Sequence, residues 1–159
     1  MTALRLSGAL AAALFIALAW YIAPLDPGVL ALQLSFTPRA FARVVHAWPP
    51  EGLARYRAHI PFDFVLLAAY GSFGALLATR TAVFARCRPA LRRFAPWALP
   101  LAALFDGVEN ALHLWLTEAP RFGMPMAYAV AGTASTLKWL LLLGFAASLA
   151  DALRRHAEG

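Results

Sequence analysis

Asp106, Glu109, Asn110 and His113 stand at positions i, i+3, i+4 and i+7 of an otherwise apolar run. On a helix they form one polar stripe. Two carboxylates, an amide and an imidazole in a row can orient a polar ligand, move a proton or hold a cation. The run is long enough to cross a membrane, where a charge near the centre costs about 2.5–3.5 kcal/mol. Such groups persist where they face protein, water or a partner, and they mark a functional site by default. The cation available to them is Lys138, the only lysine among 14 basic residues. Asp106 or Glu109 is the expected partner, and because Asp106 shares the estimated depth of Lys138, Glu109 is the leading acid–base group with Asp106 and His113 beside it. The competing reading is structural: Lys138 with Asp106 or Glu109 as an ion pair that sets helix register.

Other segments bring polar groups towards this stripe. In the run from Phe62 to Thr79, Asp63, Leu67, Tyr70 and Gly74 share a face. Ala131, Ala134 and Ser135 share the face of Lys138, and small residues there allow close helix packing. Asp63, Tyr70, Asn110, Lys138 and Ser135 are therefore the expected ligand-binding set.

Composition sets the class. Of 159 residues, 62% are hydrophobic and 14% charged, against about 25% charged in soluble domains. With a mean hydropathy of +0.65, the expected fold is an all-α integral membrane protein, a single domain over 1–159. The formal net charge of +6 comes without a basic helix or an aromatic RNA-binding motif, so no nucleic-acid partner is expected. Cys87 is the only cysteine, which excludes an intramolecular disulfide and Cys-x-x-Cys chemistry. No cofactor signature, phosphate loop or nucleophilic-serine motif is present, and no metal site is assigned.

The elements expected to position these groups are four spans, at 6–25, 62–79, 96–117 and 126–150. Ala17-Leu18-Ala19 has the form of a signal-peptidase site. The apolar run nevertheless continues through Trp20, Tyr21 and Ile22, which favours an uncleaved first span. Residues 36–60 read as two short amphipathic helices of the first loop, divided by Pro49-Pro50 and lying in the headgroup layer or capping the bundle. Thr37-Pro38 is the N-cap of the first, with Phe41, Val44 and Trp48 on its apolar face. In the second, Leu53, Tyr56 and Ile60 are apolar, and Pro61 is expected to open the next span. Pro96 and Trp97 open the third span, and a turn through Pro120 and Pro125 leads to the fourth.

Arginines set the orientation. Arg80, Arg86, Arg88, Arg92 and Arg93 crowd a connector without an acid, and Arg154 and Arg155 close the chain. Positive-inside logic places both termini and this connector in the cytoplasm of a bacterial-type inner membrane. The arginines of the first loop are discordant. Asp63 and the stripe from Asp106 to His113 then lie at or above the midplane, in an outward-opening cavity.

This layout resembles, in outline, the sterol-isomerase and sigma-2-receptor family. The shared features are four spans, inside termini and a helical first connection leading to an acid, here Asp63, near the start of the second span. The resemblance implies that fold and covers topology alone. The acids here are concentrated on the third span, so no activity is carried over. The leading functional expectation is a pocket that binds an apolar small molecule or lipid and can transform it by acid–base chemistry. An accessory subunit bound to a membrane-protein partner is the alternative. A metal-dependent hydrolase built on Asp106, Glu109 and His113 with Asp63 or His59 ranks lower. Proton or ion passage ranks lower too, because the cytoplasmic half is sealed by leucines.

Overall fold

A computed structural model of the protein describes residues 1–119 and 121–157. Pro120, expected in the last turn, lies outside them. The described residues form helices and no strand: α1 Thr2–Ile22, α2 Val29–Gln33, α3 Pro38–Ala47, α4 Pro50–Arg80, α5 Pro89–Leu116 and α6 Pro125–Ala157. Helices α1, α4 and α6 are long and apolar enough to cross a membrane. The polar stripe of α5 lowers its hydropathy and keeps it out of that group. Yet this polarity faces protein, because the buried line of α5 runs from Ala95 through Ala102, Asp106 and Glu109 to His113 and Leu116.

Helix α5 packs between α4 and α6, and α1 packs along α4. Close approach of α4 to α5 depends on Gly74, where a Cβ would stand 2.5 Å from Cβ of Leu99. Helix α1 buries little of its surface: Ala11 is its only buried residue.

Two expected boundaries are corrected. The second short helix of the 36–60 segment is not separate, since it continues into the expected second span as α4, with Pro61 inside. An internal proline removes one hydrogen bond and costs about 3 kcal/mol. The turn before it buries Tyr56, His59 and Ile60, and that packing holds the helix through the defect. Likewise α5 starts at Pro89 and contains Pro96 and Pro100, instead of opening at Pro96. Pro89 is the proline at the first helical position, where its missing N–H is of no consequence. Ala95 and Ala98 then pack with Phe84, Cys87 and Phe145.

The first connection caps one end of the helices. Thr37 Oγ1 accepts the Ala40 N–H at 3.2 Å to start α3, and Phe41 lies edge-on to both His113 and Tyr128. Helix α2, absent from the sequence expectation, packs against α3 and α6. It is tied to α6 by Trp139 Nε1–H donating to Gln33 Oε1 at 3.1 Å. Trp48 Nε1–H donates to the Pro27 carbonyl at 2.7 Å.

Candidate functional site

Helix α5 presents its stripe to two neighbours at once. On the α6 side, Lys138 Nζ lies 3.0 Å from Asp106 Oδ1 and 2.6 Å from Glu109 Oε2. All three residues are buried, and Glu109 is fully enclosed. The lysine therefore serves both carboxylates, where a pairing with Asp106 or Glu109 was expected, and it sits closer to Glu109. Ser135, fully buried one turn away, donates to the Ala131 carbonyl at 3.0 Å.

On the α4 side, the Tyr70 hydroxyl donates to Asp106 Oδ2 at 3.0 Å. Asn110 Nδ2 donates to Asp63 Oδ2 at 2.8 Å. Asp106 is thus held from both neighbouring helices, and the Asp63 carboxylate is oriented from α5. Further along, the Tyr56 hydroxyl meets His113 Nδ1 at 2.6 Å. A neutral imidazole that accepts from the phenol there carries its own proton on Nε2. His113 Nδ1 is 3.8 Å from Glu109 Oε1, too far for a hydrogen bond. The His59 ring meets the Tyr56 carbonyl through Nδ1.

Part of this set borders a cavity of about 510 Å³ between α1, α2, α4, α5 and α6. Its walls are apolar, with Ala12, Phe15 and Leu18 from α1 and Leu142 from α6. Its polar floor is His59, Asp63, Tyr70, Asp106 and Lys138, with Gln33 and Trp139 at the α2 side. Phe15 and Leu30 at the rim are 58% and 53% exposed, so the cavity reaches the apolar flank of the protein between α1 and α6.

The expected site residues divide accordingly. Asp63, Tyr70, Asp106 and Lys138 line the cavity, whereas Glu109, Asn110, His113 and Ser135 do not. Glu109 lies behind Lys138, and His113 is closed off by Tyr56 and Phe41. Tyr56, Gln33 and Trp139 were missed as polar partners. The one available signal was Tyr56, since a tyrosine on a buried face needs a partner for its hydroxyl. Among the described residues no group of three or more His, Cys, Asp or Glu is placed to hold a metal ion. The ammonium of Lys138 occupies the space between Asp106 and Glu109.

Formal charge on the floor and directly behind it is unbalanced. Asp63, Asp106 and Glu109 face one lysine, so two negative charges remain if all are ionised. Fully dry burial of such an excess is prohibitive. Only the Asp63 and Asp106 side borders the cavity, and there water or a ligand can reach it. Compared with protein-family models, curated proteins and solved structures, the chain has no match, and the resemblance in outline rests on the order of elements alone.

Proposed function

We propose that this is a four-span membrane protein that takes an apolar small molecule or a lipid into the cavity between α1 and α6. In this reading α5 is the third of the four spans, its polar stripe turned towards α4 and α6. The amphipathic α3 caps the outer end, and both termini are cytoplasmic. The observation that carries the reading is the cavity itself, with apolar walls on the membrane flank and a floor of Asp63, Tyr70, Asp106, Lys138 and His59. That combination suits a ligand with an apolar body and a polar end. Acid–base work on such a ligand falls to Asp63 and His59, which border the cavity, and not to the enclosed Glu109 and His113.

A second reading has its own observation. Lys138, Asp106 and Glu109 partner one another in a buried cluster, which suits a register-setting core in an accessory subunit of a larger complex. Native mass spectrometry from mild detergent separates the two. The ligand reading expects a stoichiometric small molecule that is lost in Ala12→Trp, which fills the cavity from α1. A stoichiometric protein partner unaffected by Ala12→Trp supports the subunit reading and sinks the first.

A further inference from the structure

The opposite flank carries a second built feature that shares no residue with the α1/α6 cavity. A groove of about 730 Å³ runs between α4 and α5, with Phe64, Ala68 and Ala75 on one side and Pro100, Gly107 and Ala111 on the other. From Thr81 at the connector end to Ala68 in the groove the helical rise gives a length of about 20 Å. That is roughly one leaflet of a bilayer about 40–45 Å thick with its headgroups. At the connector end a pocket of about 440 Å³ is bordered by Ala78, Thr81, Phe84, Pro89, Arg92 and Arg93. The two lie on one line. Gly71, Ala75 and Ala78 follow at i, i+4 and i+7 on α4, and Pro100, Arg93 and Pro89 at i, i−7 and i−11 on α5.

Charge at the two ends differs in the way a lipid does. The groove is apolar, whereas the pocket offers two guanidinium groups. Neither arginine has a carboxylate partner among the described residues. Asp151, the acid at that end of α6, is engaged by Arg154 and Arg155 at 3.1 and 2.7 Å. His156 and Arg86 lock the same end to the connector through backbone carbonyls. Arg92 and Arg93 are exposed, at the level where Trp97, 64% exposed, marks an aromatic belt one turn further on.

We propose that the α4/α5 groove and the Arg92–Arg93 pocket together bind one anionic phospholipid, its phosphate on the two arginines and its acyl chain entering the groove past Ala75 towards Ala68. Guanidinium groups pair bidentately with phosphate oxygens, and basic residues at a leaflet surface favour anionic over zwitterionic lipid.

The test uses delipidated full-length protein in detergent, titrated with phosphatidylglycerol or phosphatidylcholine of identical acyl chains, with bound lipid counted by native mass spectrometry. Phosphatidylglycerol is expected to bind at least about tenfold more tightly. Arg92→Gln/Arg93→Gln should bring the two lipids level, while Arg92→Lys/Arg93→Lys retains most of the preference. Ser72→Phe, at an exposed position of the groove, should weaken both lipids. Equal affinity in the unmodified protein overturns the proposal, as does a preference that survives Arg92→Gln/Arg93→Gln. Displacement by inorganic phosphate with no effect of Ser72→Phe reduces the site to an anion pocket and overturns it as well. Ala12→Trp leaves this binding intact, so failure here is distinguishable from failure of the α1/α6 cavity.

Discussion

Lys138 Nζ stands 2.6 Å from Glu109 Oε2, nearer than its 3.0 Å contact with Asp106 Oδ1. One ammonium therefore bridges two carboxylates a helical turn apart, and its loss would strand both. Lys138→Met is expected to destabilise by about 3–5 kcal/mol. The triple change Lys138→Met/Asp106→Asn/Glu109→Gln should be milder than Lys138→Met alone, because neither Asp106 nor Glu109 is then left as an unpaired charge. Equilibrium unfolding in detergent reads this directly, and additive losses across the set would remove the claim of a coupled cluster.

Tyr56 and His113 give a smaller, neutral version of the same test. Tyr56→Phe deletes the phenol that meets His113 Nδ1 at 2.6 Å and leaves a buried ring nitrogen unsatisfied. The expected loss is about 1–3 kcal/mol. Tyr56→Phe combined with His113→Phe should lose less than the sum of the single changes. An undiminished Tyr56→Phe melting temperature would show that the bond contributes nothing.

Helix contact at Gly74 is predicted to be far less tolerant than at Gly107. A Cβ at Gly74 would meet Leu99 Cβ at 2.5 Å, whereas at Gly107 the nearest atom is Phe64 Cε1 at 3.9 Å. Gly74→Ala should cost about 1–3 kcal/mol through overpacking. Gly107→Ala should be neutral or stabilising through helix propensity. Leu99→Ala in the Gly74→Ala background should recover part of the loss, and detergent melting curves of the four proteins decide it.

Orientation is testable by thiol labelling, but the native Cys87 is a poor probe because it is buried beside Phe84 and Ala95. In a Cys87→Ala background, Glu51→Cys is expected to react from outside intact cells. Ala90→Cys, also at an exposed position, should react only after permeabilisation. The reverse pattern overturns the proposed topology and turns the cavity floor to the other side.

Much of the polar stripe was legible before any fold was known. Asp106, Glu109, Asn110 and His113 share a face because helical periodicity is local, and Lys138 was identifiable as partner because no other cation lies within the apolar runs. The all-helical character and the apolar spans follow from composition and run length for the same reason. Other features needed the packed chain. Pro61 reads as a helix start, yet the burial of Tyr56, His59 and Ile60 carries α4 through it. Asp106 borders the cavity and Glu109 does not, although they are three residues apart. That distinction depends on how α1, α4 and α6 are rotated and set in depth around α5. Tyr56 with His113, Gln33 with Trp139, and the alignment of Arg93 with the α4/α5 groove depend on it too. Such relations between helices come from side-chain packing across separate segments, to which no spacing within a single segment is sensitive.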